Sequence, residues 1–278
     1  MFLEPDGHIY TDSTMNTNKT ALITGATSGI GYELAKLFAK DGYDLVIVAR
    51  SEEELMKTSA ELEKNYKISV IAMAKDLFEV ENAFKVYEET KARGVDVDVL
   101  VNDAGHGLYG EFVETDLKME LSIINLNVAS LVVLTKLFVR DMVKRGKGKV
   151  LNLSSIASKS PGPWQSIYHG TKAFVQSFSE AIRYELKDKG VGVTALLPGA
   201  TATDFFRKAH MESSKIMQEE MANPADVAKD GYEALMADKD MVVSGFKNKV
   251  QVGMSNVTPD EQLAAKMGKQ QEPVKDKK

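Results

Sequence analysis

The sequence predicts a single α/β domain, a doubly wound parallel sheet of about seven strands with helices on both faces. Three observations predict it. Short β-rich runs alternate with longer amphipathic stretches from residue 19 onward, the order that builds βαβ units. Some runs, such as DLVIVA (44–49), are apolar throughout, as strands covered on both faces are. A glycine-rich turn, TGATSGIG (24–31), joins the first strand to the first helix.

The elements follow in order. TALITGA is a strand ending in Gly25-Ala26, and the next stretch places Ile30, Leu34, Leu37 and Phe38 on one helical face before Gly42 ends it. DLVIVA is the second strand. SEEELMKTSAELEKNY is helical, with Ser51 and Glu54 at capping-box spacing. ISVIAMA is the third strand, a helix covers about 79–93, and VDVLV is the fourth strand. A long helix is expected over 116–145, then the strand GKVLNLS, then a second long helix over 164–188. Ile167, Val175, Phe178, Ile182 and Leu186 form the apolar stripe of that second helix. VGVTALL is the sixth strand and ends at Pro198-Gly199. Residues 203–222 are Met-rich and irregular. A helix starts near Asn223-Pro224, with Pro just inside its first turn. DMVVSG is the seventh strand. Right-handed crossovers follow from strand twist. Residues 1–18 read as a flexible arm, 19–250 as the domain, and 251–278 as an extension, partly disordered because MGKQQEPVKDKK is polar.

Composition excludes several functions. The 278 residues carry a net charge of -5, so no broad basic field is present and nucleic acid is not an expected partner. No apolar run is read as approaching the roughly 20 residues a membrane helix needs, so no membrane association is expected. The absence of cysteine excludes disulfides, thiolate nucleophiles and Cys-based zinc sites. His8, His106, His169 and His210 show no ligand spacing, so no metal is expected. MFLEPDGHIY lacks the basic-then-apolar pattern of a signal peptide, and a cytoplasmic location is expected.

Gly25, Gly29 and Gly31 are spaced GxxxGxG. Glycines there permit a tight turn and close backbone approach to a diphosphate. The helix N-terminus that follows offers free N–H groups and partial positive charge. A glycine turn without a ligand has the same spacing, but the strand–loop–helix context favours a dinucleotide. The second strand ends in Ala49 and Arg50, with no acid at its tip. An acid there suits a ribose 2′-hydroxyl, whereas Arg suits a 2′-phosphate, so NADP(H) is favoured over NAD. Glu52, Glu53 and Glu54 read as first-turn acids favoured by the helix dipole.

Seven motifs in order resemble the short-chain dehydrogenase/reductase family over roughly residues 19–245: TGATSGIG (24–31), DL (76–77), NDAG (102–105), LNV (126–128), LSS (153–155), YHGTK (168–172) and PGATAT (198–203). The resemblance implies a Rossmann-type fold and a catalytic tetrad of Asn127, Ser155, Tyr168 and Lys172. Ser155 is preferred to Ser154 because the family serine usually precedes the tyrosine by thirteen residues. The implied cofactor contacts are Gly25, Thr27, Ser28, Gly29, Ile30 and Gly31 in the glycine loop, and Arg50 and Ser51 after the second strand. They extend to Asp76 and Leu77, to Asn102, Ala104 and Gly105, to Tyr168 and Lys172, and to Pro198, Gly199, Thr201 and Thr203. Asp76 resembles the residue that contacts adenine, and Thr203 the one that holds the carboxamide. Where the family has Asn-Asn-Ala-Gly, this chain has Asp103. That position mainly braces the central strands in the family, so Asp103 is expected to affect stability or to meet a compensating donor.

A Tyr and a Lys four residues apart are by themselves an ordinary helical surface pair. In the family context they imply acid–base chemistry. A free phenol titrates near 10, and a nearby ammonium is expected to lower that value. Ser155 would polarise the substrate oxygen, and Asn127 would hold a water linking Lys172 to solvent. The implied reaction is hydride transfer between NADP(H) and a carbonyl or secondary alcohol, with Tyr168 as general acid/base. A 3-oxoacyl-thioester reductase is the alternative within enzymes, and a dinucleotide-binding sensor or scaffold is the alternative outside them. Residues 203–222 occupy the family's lid position, where Phe205, Phe206, Met211, Ile216 and Met217 suit a hydrophobic substrate. His106 and His169 read as structural or solvent-facing; Trp164 and Tyr109 read equally as pocket or packing. The family implies a homodimer or homotetramer formed through the two long helices.

Overall fold

A computed structural model describes residues 19–274. Seven strands form one sheet: β1 (Thr20–Thr24), β2 (Asp44–Ala49), β3 (Val70–Ala74), β4 (Val99–Asn102), β5 (Gly148–Leu153), β6 (Val191–Leu197) and β7 (Met241–Val243). The order is β3-β2-β1-β4-β5-β6-β7, and every pairing is parallel. The chain winds outward from β1 in one direction, then returns to β4 and winds in the other. A crevice therefore opens at the carboxyl ends of β1 and β4.

Helices cover both faces. On one side α1 (Gly29–Lys40) packs with α2 (Glu52–Tyr66) and α8 (Pro224–Met236). Leu34 and Phe38 of α1 are fully buried there, and Phe38 meets the rings of Tyr43 and Tyr232 at centroid distances of 5.3 and 4.9 Å. Burying each such side chain stabilises by about 1.5–3 kcal/mol. On the other side lie α3 (Val80–Ala92), α5 (Leu131–Arg145) and α6 (Ser166–Leu186). Leu134, Phe138 and Met142 of α5 join Leu22, Leu100 and Val150 of the sheet in the second core.

The helix expected over 116–145 has three parts. α4 (Leu117–Ile124) leads into a π-helical stretch, Asn125–Ser130, and then into α5. Its whole span, Leu117–Arg145, is long and apolar enough to cross a membrane by length and composition, which corrects the reading that no run approaches that length. The break at Asn125 and the interspersed polar residues hid it.

The lid region contains α7 (Phe205–Lys208) and one turn of 3-10 helix, Lys215–Gln218. Asn223 caps α8 by accepting the Ala225 N–H at 2.9 Å, with Pro224 in the first turn as expected. The C-terminal region differs from expectation. Residue 250 falls inside α9 (Phe246–Ser255), and α10 (Asp260–Gln271) takes in residues 267–271, the start of the polar stretch read as disordered. Leu263, Met267 and Gln271 recur every four residues and bury one face of α10. The arm 1–18 and the last residues, 275–278, lie outside the described residues.

Candidate active site

The crevice holds a cavity of about 940 Å³. Gly25, Thr27, Ser28, Gly29 and Ile30 line one wall, where α1 points its N-terminus inward. Gly25 and Gly29 have φ of +73° and +58°, which favour glycine. A Cβ on Gly29 would lie 3.0 Å from Thr203 Cγ2, so the loop approaches the turn after β6 closely. Gly31 does not line the cavity. A Cβ there would lie 2.5 Å from the Gly25 carbonyl oxygen and 2.4 Å from Asp103 Oδ2, so it is a packing glycine.

Arg50 and Ser51 sit at the tip of β2 and line the same space. The Arg50 guanidinium lies over the Phe78 ring, 5.4 Å from its centroid. Ser51 accepts the Glu54 N–H at 3.2 Å, which is one half of a capping box. Asp76 and Leu77 face them; Asp76 Oδ1 accepts the Phe78 N–H at 3.1 Å, and the Ser130 hydroxyl donates to the Leu77 carbonyl at 2.7 Å. Pro198, Gly199, Thr201 and Thr203 line the cavity after β6. Thr201 Oγ1 donates to the Gly199 carbonyl at 2.9 Å, and Thr203 Oγ1 accepts the Phe205 N–H at 3.3 Å.

After β4, Asn102 and Asp103 stand differently toward the cavity. Asn102 does not line the cavity. It is buried, and its Nδ2 donates to Asn152 Oδ1 at 2.8 Å and Thr135 Oγ1 at 3.0 Å, bracing β4 against β5 and α5. Asp103 lines the cavity instead. Its carboxyl accepts the Gly31 N–H, the compensating donor that the substitution called for. Loss of water pushes the Asp103 carboxyl up to about 7, against the opposing pull of Lys172 and the Gly31 N–H. Ala104 and Gly105 line the cavity beside it; the N–H groups of Asp103 and Ala104 donate to Thr24 Oγ1 at 3.1 and 3.0 Å.

Tyr168, Lys172 and Ser155 converge on the cavity. Tyr168 and Lys172 lie one turn apart on α6, and Tyr168 is hydrogen-bonded to Ser155. Burial pushes the Tyr168 phenol up to about 12, with the Ser155 bond opposing. The lowering expected from Lys172 is not found. Lys172 Nζ donates to the Leu153 carbonyl at 2.7 Å and stands 5.8 Å from the Tyr168 ring centroid. Burial lowers Lys172 to about 8, and Asp103 resists that change. Ser155 Oγ accepts the Ala157 N–H at 3.1 Å, whereas the Ser154 hydroxyl is committed to the Lys172 carbonyl at 2.8 Å.

Asn127 lies in the π-helical turn and stands behind the cavity wall. Its Oδ1 accepts the His106 N–H at 2.9 Å; its Nδ2 donates to the His106 carbonyl at 2.9 Å and to Thr171 Oγ1 at 3.0 Å. A Cβ placed on Gly105 would be 3.5 Å from both Asn127 Oδ1 and Lys172 Nζ, so both groups crowd the same side-chain position of that glycine.

The apolar wall comes from Phe205, Phe206 and Ile216. Phe205 stacks obliquely on Tyr168 at 5.0 Å. Met211 and Met217 pack behind them. His106 lines the cavity, with burial lowering its pKa; His169 is buried beside Tyr168. Neither Trp164 nor Tyr109 lines the cavity. Sequence reading missed Asn248 and Gln251 of α9, and Met267 and Gln271 of α10, which line its far end. The four-residue spacing of Leu263, Met267 and Gln271 was the available signal, diluted by polar neighbours.

The family model for short chain dehydrogenases matches residues 19–213. This chain belongs to the short-chain dehydrogenase family. It is 37% identical over 189 residues to the very-long-chain 3-oxoacyl-CoA reductase of Bos taurus and 35% identical over 189 residues to very-long-chain 3-oxoacyl-CoA reductase-A of Danio rerio. Each alignment covers 66% of this chain, and the chain spans 59% of the length of those relatives. Among solved structures it resembles a short-chain dehydrogenase from Sphingobium yanoikuyae in complex with NADPH, with TM-score 0.77, 27% identity and coverage of 88% of this chain and 98% of that one. It also resembles the bulky-bulky ketone specific alcohol dehydrogenase from Comamonas testosteroni, with TM-score 0.73, 25% identity and coverage of 86% and 92%. The family match ends before α8, β7, α9 and α10, so the far end of the cavity is built from residues outside it.

Proposed function

We propose that this short-chain dehydrogenase is an NADP(H)-dependent oxidoreductase that interconverts a carbonyl compound and the corresponding secondary alcohol. One observation carries the reading: Tyr168, Ser155 and Lys172 face the same cavity as the glycine loop and Arg50. The residues suit a dinucleotide phosphate. Left-handed Gly25 and Gly29 form a cradle at the N-terminus of α1, and Arg50 presents a guanidinium at the tip of β2 with no carboxylate on that strand end. In this reading the glycine loop holds the diphosphate, Arg50 the 2′-phosphate, Asp76 the adenine side, and Thr203 the carboxamide.

When bound, the dinucleotide supplies or accepts the hydride. The chain's own groups manage the proton. The Tyr168 phenol, held well above neutral pH by burial, carries its proton at Oη and can give it to a substrate oxygen. Ser155 orients that phenol and offers a second donor to the same oxygen. Asn127 fixes the His106 backbone and Thr171, and so holds α4–α5 against α6 around Lys172.

A 3-oxoacyl thioester is the second substrate reading, favoured by the apolar wall of Phe205, Phe206 and Ile216 and by the names of the relatives. NADPH oxidation over a panel of ketones and 3-oxoacyl thioesters tests both readings. No consumption of NADPH with any member would sink them. We further propose self-association through the faces of α4–α5 and α6, where Leu117, Leu121, Phe174 and Tyr184 are exposed.

A further inference from the structure

An acid stands behind the glycine loop. Asp103 lies just past β4 and lines the cavity. Its carboxyl is wedged between two glycines of the loop. A Cβ on Gly25 would lie 2.7 Å from Asp103 Oδ2, and the Gly31 N–H donates to the carboxyl. Gly31 is the third residue of α1, so this N–H belongs to the free donors at the start of that helix. The carboxyl therefore shares the positive end of α1 with any anion that the loop holds.

An amide at this position would answer the same N–H without carrying charge. An ionised carboxyl puts a negative charge beside the seat of a diphosphate. In a site screened from water, like charges at close range oppose each other strongly. A proton on the carboxyl removes the opposition and leaves the second oxygen to accept the Gly31 N–H.

The surroundings let that proton come and go. From α6, Lys172 is the charge that acts on Asp103, and its Nζ donates to the Leu153 carbonyl at 2.7 Å. From β1, Thr24 Oγ1 accepts the Asp103 N–H; from the loop and α1 come Gly25 and Gly31, and none of the three titrates. Loss of water already pushes the carboxyl up to about 7, so both of its forms are present near neutral pH.

We propose that Asp103 couples cofactor binding to proton uptake: its carboxyl is protonated when a diphosphate seats on the glycine loop, so NADP(H) is held most tightly at low pH and released as pH rises. This rests on the dinucleotide reading of the loop and adds a proton that the reading does not contain. The sign follows from linkage. An anion on the loop raises the carboxyl further. Well below its free value Asp103 is neutral with or without cofactor, and affinity does not depend on it. Above that value the free protein has lost the proton and must regain it to bind, so affinity falls.

The test follows NADPH binding by the fluorescence of the bound cofactor, and proton uptake by an indicator dye in weak buffer. The wild-type protein should take up about half a proton per NADPH at roughly pH 7.5, and its Kd should rise roughly tenfold from about pH 6 to about pH 8.5. Lys172, lowered to about 8, also gains a proton more easily beside an anion. The assignment is therefore made in Lys172→Met, with and without Asp103→Asn. Lys172→Met should keep the uptake, moved to higher pH because the opposing cation is gone. Adding Asp103→Asn should abolish it and flatten the pH dependence of Kd. The 2′-phosphate of the cofactor titrates alike in both variants and cancels in the comparison. Equal uptake by the two variants, or none by Lys172→Met at any pH, would overturn the inference alone. Failure of the wild-type protein to bind NADPH at any pH would remove the dinucleotide reading and the inference with it.

Discussion

The carboxyl of Asp103 occupies the space that a side chain at residue 31 would need: a Cβ on Gly31 would lie 2.4 Å from Asp103 Oδ2, and the Gly31 N–H donates to that carboxyl. Replacing Gly31 with Ala forces the carboxyl or the Gly25 carbonyl to move. The variant should lose about 1–3 kcal/mol of stability, read from denaturant unfolding.

The same carboxyl should leave a pH signature. Its folded value is about 7 against an ordinary 3.8. From about pH 4 to 7 the unfolded chain releases this proton while the folded chain keeps it. The fold therefore loses stability as pH rises through that window and carries the full cost above it. Asp103→Asn has no such proton. Its melting temperature minus that of the wild type should grow between about pH 5 and pH 7. A difference that stays flat would reject the assignment. The variant should also lose its Lys172 charge at lower pH, because Asp103 holds that ammonium up.

Tyr168→Phe removes the proton donor and keeps the ring against Phe205. Turnover should fall by about 10²–10⁴-fold while NADPH affinity is kept. Because the phenol titrates near 12, alcohol oxidation, which needs it deprotonated, should speed up as pH rises above neutrality. Wild-type turnover in Tyr168→Phe would end the acid–base role.

Arg50→Ala should weaken NADPH binding by roughly 10–100-fold, the worth of a hydrogen-bonded charge pair, and leave NADH binding nearly unchanged. Equal losses for both cofactors in a fluorescence titration would show that Arg50 does not read the 2′-phosphate.

Sedimentation velocity of the wild type should show a dimer or tetramer, and Leu121→Lys, at a position 52% exposed on α4, should shift it toward monomer. A wild-type monomer would reject self-association through these helices.

The strands and the main helices were legible because period-2 and period-3.6 patterns are local. So were the glycine loop, Arg50, Ser155, Tyr168 and Lys172, whose spacing along the chain survives folding. Two kinds of feature were not. Asn102 and Asp103 are adjacent strand-end residues, and which one turned toward the crevice depended on Asn152 and Thr135, far along the chain. The Tyr168 phenol was expected to be lowered, but the direction of the Lys172 side chain is set by the Leu153 carbonyl, a backbone group with no mark in sequence. α10 was missed because its buried face is three side chains wide and ends in a glutamine.

The π-helical turn at Asn125–Ser130 separates two duties that one helix would otherwise share. A π turn inserts a residue into an α-helix without changing how the flanking turns face. Deleting one residue there would restore the α ladder and leave Ile123 and Leu134 on the buried side. It would also withdraw Asn127 from His106 and Thr171. A one-residue deletion at this point should therefore spare the architecture and disable the chemistry, which makes the inserted residue a place where sequence length itself carries function.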